Sequence, residues 1–392
     1  MFYKTDSKGG CGGSRYETFS GVLISFFILI FLSLFSRYAC SQVLISPGGS
    51  EKIDTKTVGC LLPLSGEYGL IGKKALKGIL MAAGVFQSDS GFRIVVRDYN
   101  GQGSEGHRIA LEDMVAKDGA SVIIGPILSS SIREISGSIK SLKIPTLVFP
   151  LSEDVSDGNP YLIKFSYSLE KQARVIAKYA VQDARIKTLG VLYPRTGIGE
   201  LSKEAFIKSV REYGGNIIYI SSYDPVSLGI SGEIEWLKSR HPDAVFIPDS
   251  ATHSAQLITK LRQEDSLRDL ILLGLNTWNS RAFLKALGTE TDGIIFTDFF
   301  SPGSESWIDF DAKFRAAFGE EPGFLEYQVY EAASLILQIL KTPIQRREDI
   351  KGRLLSFSNP LFDINENVDG SLTISPKPLI LTLSGGEIIR VK

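Results

Sequence analysis

The chain has 392 residues, 43% hydrophobic and 22% charged, which makes it globular rather than disordered or fibrous and too long for one comfortable core. A formal net charge of −1 and no long basic run remove the electrostatic reason to expect a nucleic-acid partner. Its three cysteines and three histidines lie apart, so they supply neither a disulfide framework nor a metal cluster, and no cofactor is expected.

The first element is "FSGVLISFFILIFLSLF" (19–35), seventeen residues without a charge, preceded by Lys4, Lys8 and Arg15. A basic segment followed by an apolar one is the pattern of an export signal. Ala39 and Ser41 suit cleavage after Ser41, while Ala39-Cys40 suits lipidation on Cys40, although Arg37 and Tyr38 are poor residues before such a site. A retained anchor is the third reading, since the run is just short of a comfortable membrane span. All three place the folded part outside the cytoplasm. Residues 1–41 are therefore expected to be an export signal or anchor, and 42–55 a tether.

From there apolar runs alternate with amphipathic stretches. The runs are "TVGCLLPL" (57–64), "FRIVVRD" (92–98), "ASVIIGP" (120–126), "IPTLVFP" (144–150) and "YLIKFSY" (161–167). Between them Ala75, Leu76, Ile79, Leu80 and Ala83 recur at helical spacing, as do Ala110, Leu111, Met114 and Val115. Cys60, alone in the first run, is expected to be a small buried hydrophobe. A second series follows with "TLGVLYP" (188–194), "NIIYISSY" (216–223), "DAVFIPD" (243–249), "LILLGLN" (270–276) and "GIIFTDF" (293–299). Then come a long helix candidate at 325–341 and a strand-like stretch, "LTISPKPLILTL" (372–383). Near-continuous apolar strands separated by helices imply parallel sheets buried on both faces. The fold class is α/β, with two doubly wound, Rossmann-like lobes joined by crossovers. Residues 56–167 with 303–360 are expected to form the first lobe, and 168–302 with 361–392 the second.

"GQGSEG" (101–106) contains a GxGxxG, but it does not fit a dinucleotide site. Asp98, Tyr99 and Asn100 separate it from the preceding strand, that strand is the second and not the first, and the next strand ends in Gly125-Pro126 without a carboxylate. His107 and His253 fall in expected first turns of helices, where a solvent-facing role is usual. HExxH, GxSxG and Walker patterns are absent from the sequence, so catalysis is not expected.

Ligands of open α/β sheets bind beyond the carboxyl ends of strands. Those ends offer Ser65 and Tyr68 after the first run, and Ser129, Ser130 and Ser131 after the third. Ser131 with Glu134 has capping-box spacing, and a serine hydroxyl with helix-start N–H groups also suits a carboxylate. The fourth run ends in Pro150, Leu151 and Ser152. In the second series the ends offer Asp249 and Ser250, then Asn276 and Trp278, the indole serving either as a stacking surface or as core. The set is rich in hydroxyls and amides, a lining for holding a polar molecule.

"VGCLLPLSGEYGLIGKKALKGILMA", "ASVIIGPILSSS" and "IPTLVFP" resemble the type I periplasmic binding proteins, specifically the leucine-binding domain family, over about residues 56–340. The resemblance implies two lobes joined by three crossovers that close over a small ligand. It also implies that Ser129 holds a ligand carboxylate, with further contacts from Pro150 to Ser152. Amino-acid binders of the family carry a glutamate where Asn276 stands, and an aromatic residue around Asp249-Ser250 that is missing here, although Asp249 could supply the anion. "GLNTWNSRAFLKALGTETDGIIFTDFF" and "FRAAFGEEPGFLEYQVYEAASLI" resemble the penicillin-binding-protein activator subgroup more closely. The expected function is a periplasmic or envelope-anchored solute-binding protein that traps a small polar ligand, such as an amino acid or peptide-like molecule, for ABC-type import or sensing. Its partner would be an inner-membrane ABC permease. The alternative is an envelope regulator whose partner is a peptidoglycan synthase.

Overall fold

The computed structural model describes residues 54–86, 91–99, 103–150 and 158–391; the expected export segment, Gly101, Leu151 and Ser152 lie outside them. Each apolar run of the first series becomes a strand: β1 (Thr57–Leu62), β2 (Arg93–Asp98), β3 (Val122–Ile124), β4 (Thr146–Val148) and β5 (Leu162–Phe165). The second series gives β6 (Thr188–Pro194), β7 (Asn216–Tyr223), β8 (Ala244–Phe246), β9 (Ile271–Gly274) and β10 (Ile294–Asp298). Four more strands follow: β11 (Phe362–Glu366), β12 (Leu372–Pro376), β13 (Leu379–Ser384) and β14 (Glu387–Arg390).

They form two seven-stranded sheets, in the orders β11-β12-β5-β4-β3-β1-β2 and β14-β13-β10-β9-β8-β6-β7. The five-strand cores are parallel throughout, and β12 extends the first sheet in parallel where β13 extends the second antiparallel. Residues 361–392, expected wholly in the second lobe, therefore divide. Phe362, Ile364, Leu372 and Ile374 belong to the first lobe's core, and Leu381 and Leu383 to the second's. The break falls at Pro376-Lys377-Pro378, because prolines cannot donate to a continuing ladder.

Helices cover both faces of each sheet, as buried parallel strands require. In the first lobe α1 (Gly69–Ala82) lies on one face, and α2 (Gly103–Ala116) and α3 (Ser129–Leu142) on the other, through Ile79 on one side and Leu111, Ile135 and Ile139 on the second. In the second lobe α4 (Leu169–Lys178) and α5 (Gly197–Glu212) oppose α6 (Ser231–Arg240), α7 (Ala251–Arg262) and α8 (Arg281–Leu287). The chain then returns through α9 (Glu305–Phe318) and α10 (Phe324–Leu340) to the face that holds α1, followed by α11 (Glu348–Leu355). Gly72 and Gly199, one turn into α1 and α5, sit directly on the carbonyls that end β1 and β6. A Cβ at Gly72 would lie 2.0 Å from the Pro63 oxygen, and one at Gly199 2.2 Å from the Pro194 oxygen. Glycine there lets each helix start against its strand. Cys60 is fully buried in β1, and burial pushes its thiol up to about 12. Among the described residues no helix is long and apolar enough to cross a membrane.

Three short crossovers join the lobes, at 166–168, 299–304 and 377–378. Each leaves from the carboxyl end of a strand: β5, β10 and β12. The carboxyl edges of the two sheets therefore face one another.

Candidate functional site

The strand order runs 2-1-3 in the first sheet and 7-6-8 in the second, so each lobe has a switch point beside its first strand. At the first lobe's edge stand Ser65 and Tyr68, exposed after β1, then Ser129 and Ser130 opening α3, then Pro150 after β4. The residue before α3 is Leu128, whose side chain makes no cap bond, so the helix start presents backbone N–H groups beside the Ser129 hydroxyl. The capping box expected at Ser131 does not form. Ser131 is buried in the helix's first turn, and Glu134 instead pairs with His107 at 2.7 Å. His107 is accordingly buried, edge-on to Tyr99, and not solvent-facing as its place in α2 suggested. His253 keeps a 37% exposed side chain in the first turn of α7. Gly103 and Gly106 fall within α2, which follows the edge strand β2 and not a switch point, so the GxGxxG serves no phosphate loop.

In the second lobe Asp249 and Ser250 follow β8, and Asn276 follows β9. Asp249 is engaged within its own lobe. Its Oδ2 accepts the Tyr223 hydroxyl (2.6 Å), its Oδ1 accepts the Ser250 N–H (2.6 Å), and its carbonyl accepts the Thr277 hydroxyl (2.7 Å). Ser250 caps α7 by accepting the His253 N–H (3.3 Å), and the Asn276 N–H donates to the buried Gln172 (3.0 Å). These bonds fix the loops after β7, β8 and β9 relative to one another. Tyr223 and Thr277 were missed by sequence reasoning; Tyr223 carries the available signal, as a polar-tipped aromatic at the last position of a strand. Tyr223→Phe is expected to cost about 1–3 kcal/mol by removing the hydroxyl donor from Asp249 Oδ2, read from urea denaturation of the variant beside the parent. Of Trp278's two readings the structure gives the core. It is fully buried, stacked on Phe283 at 5.0 Å, and lies over Gly274, where a Cβ would come within 2.3 Å of the ring. No stacking surface remains for a ligand.

Behind these edges the crossovers hold two acidic side chains, Asp298 fully buried and Glu331 half-buried. Tyr167, in the first crossover, packs edge-on against Phe299 of the second (4.3 Å), and its hydroxyl donates to Glu331 of α10 (3.1 Å). Asp298, fully buried at the end of β10, accepts from the Phe299 N–H and from Asn279, both at 2.6 Å. Burial pushes the Glu331 carboxyl up to about 7, against hydrogen bonds from Tyr167 and Tyr327 that pull it down. It pushes Asp298 well above the usual carboxylate range. The Tyr167 phenol rises too, through burial and the two carboxyls nearby.

A family model described as periplasmic binding protein matches residues 55–350. The chain belongs to that family. Within it the protein is of the type I, leucine-binding-like kind, as its two sheets and three crossovers show, and membership implies an extracytoplasmic location. A structure of a putative branched-chain amino acid ABC transporter protein from Rhodospirillum rubrum superposes with a TM-score of 0.76 at 16% identity, covering 86% of this chain and 99% of that one. A Leu/Ile/Val-binding protein homologue from Brucella melitensis is 19% identical over 249 residues, 62% of this chain and 67% of the relative. The penicillin-binding protein activator LpoA of Enterobacter sp. is 31% identical over 121 residues, 30% of this chain. That match spans only 16% of the activator's own length.

Proposed function

We propose that this periplasmic binding protein is an extracytoplasmic solute-binding protein that traps a small, polar, carboxylate-bearing ligand between its lobes without chemical change, for ABC-type import or sensing. The observation that supports it is the opposition of two carboxyl strand edges, one of which opens α3 with Ser129 and no side-chain cap. Ser65, Tyr68, Ser129 and Pro150 would meet the ligand from the first lobe, and Leu151 and Ser152, next in the sequence, are proposed with them. Asp249, Ser250 and Asn276 would meet it from the second. Better contacts in the closed form would shift the lobes toward closure. An ABC permease of the inner membrane is the partner this reading calls for.

A thermal-shift screen of the purified chain against amino acids, short peptides, sugars and cell-wall fragments tests the reading, because a ligand specific to the folded state raises the melting temperature. A saturable shift with one class is expected. Ser129→Ala should then weaken binding by about 1–3 kcal/mol, the usual cost of an unsatisfied polar partner; an unchanged affinity would remove Ser129 from the site. The partial likeness to the activator LpoA favours a second reading, an envelope regulator that contacts a peptidoglycan synthase. No shift with any class, together with capture of such a synthase, would put that reading first.

A further inference from the structure

The outer strands of the first sheet turn alternate residues to opposite faces. Ile163 and Phe165 of β5, Leu372 and Ile374 of β12, and Phe362 and Ile364 of β11 face the lobe's core. The residues between them must face the other way. Register sets Lys164 beside Thr373 and Thr373 beside Asn365. One step further along the same face come Ser166 and Ser375. This polar face forms one wall of a cavity of about 370 Å³, and the first turns of α4, from the second lobe, form the other. The cavity sits against the crossover at 166–168 and is also lined by Pro150, after β4, one of the cleft candidates.

Its charges do not cancel. On the α4 side, Lys171 pairs with Asp363 (3.3 Å), Arg174 with Glu212, and Glu170 with Lys208 (3.7 Å). Lys164 is only 7% exposed, in a strand otherwise made of Leu162, Ile163 and Phe165, and among the described residues no carboxylate pairs with it. The bulk of the side chain is thus buried while its ammonium opens to the cavity, a cation with no carboxylate partner among the described residues. Thr373 is engaged by Asn367 (2.9 Å), which leaves Ser166, Asn365 and the buried Ser375 as the polar groups beside the cation.

We propose that this cavity binds a small oxyanion, the group shared by carboxylates and phosphates, with Lys164 as its counter-charge and Ser166, Ser375 and Asn365 as hydrogen-bond donors. Because the walls come from different lobes, an occupant bears on the angle between them. The cavity shares Pro150 with the cleft reading, but the proposal rests on Lys164 and stands or falls separately from it.

The test titrates the purified chain with phosphate, acetate and chloride at constant ionic strength, following the melting temperature. Phosphate or acetate is expected to raise it saturably where chloride does not, and the stronger of the two identifies the group. Lys164→Met preserves bulk and suits the apolar strand. It should melt no lower than the parent in anion-free buffer and should bind the anion at least tenfold more weakly, whereas Lys164→Arg keeps the response. Ser166→Ala, at the end of the strand, provides an independent variant expected to weaken binding severalfold. Ser129→Ala should leave the response intact; if it abolishes the response instead, the anion sits in the cleft and the proposal falls. An equal shift in Lys164→Met and the parent, or no shift in the parent with either oxyanion, overturns it as well.

Discussion

Glu331→Gln is expected to raise the melting temperature at pH 8 by several degrees and to flatten its dependence on pH between about 4.5 and 7. The Glu331 carboxyl binds its proton more tightly in the folded chain than in the unfolded one, where its value is the ordinary 4.5 against about 7. Its contribution to stability is therefore fully present below about 4.5 and is lost as the pH rises through about 7. Above that, folding carries a half-buried carboxylate part of the way out of water. At about 1.4 kcal/mol per pH unit the difference is on the order of 3 kcal/mol. Glutamine keeps an acceptor for Tyr167 and Tyr327 but has no proton to lose. Asp298, buried nearby, pushes in the same direction, so Asp298→Asn should give a second gain that is not additive with the first. Melting curves of parent and Glu331→Gln that stay parallel from pH 5 to 8 would sink this account. Since the cluster lies at two of the three crossovers, the same variants should alter how readily the lobes close.

Gly72→Ala and Gly199→Ala are expected to destabilise the chain by about 3 kcal/mol or more each, through overpacking against backbone. An added methyl at either position meets a carbonyl oxygen at 2.0 or 2.2 Å, and a carbonyl that ends a buried strand cannot swing aside. The helix must lift instead, which also moves the helix start away from the switch point, so Gly72→Ala should blunt any ligand-induced shift. Gly197→Ala is the control, because nothing lies within 4 Å of a Cβ there. Urea denaturation checks all three. If Gly72→Ala and Gly199→Ala both stay within about 0.5 kcal/mol of the parent, the contact is softer than its geometry implies.

The apolar runs were legible in the sequence because a strand buried on both faces leaves little room for anything else, and all ten expected in the two series form. What local pattern could not carry was long-range pairing. "LTISPKPLILTL" reads as one strand-like stretch, yet its halves belong to different sheets, and only Ile374 against β5 and Leu381 against β10 decide it. His107 looked exposed from its place in α2 because its partner, Glu134, comes from α3. Where the strand ends gather was legible for the same reason the sheets were, since parallel order fixes it. What each end residue touches was not: Asp249 depends on Tyr223, twenty-six residues away. Trp278 was decided by Gly274 beneath it and Phe283 beside it, neither of which marks burial by itself.

The division of residues 362–390 between the two sheets has a consequence for biosynthesis. Both lobes receive their last two strands from this one segment, which follows every other element in the chain. While the ribosome is still making it, both β5 and β10 present open edges, the template for pairing with other chains. The first sheet can close only once β12 is made and the second only once β14 is, so a nascent chain stalled anywhere before β11 would leave two adhesive edges exposed at once. A chaperone or translocation factor that shields the chain has therefore to hold on until β14 has emerged.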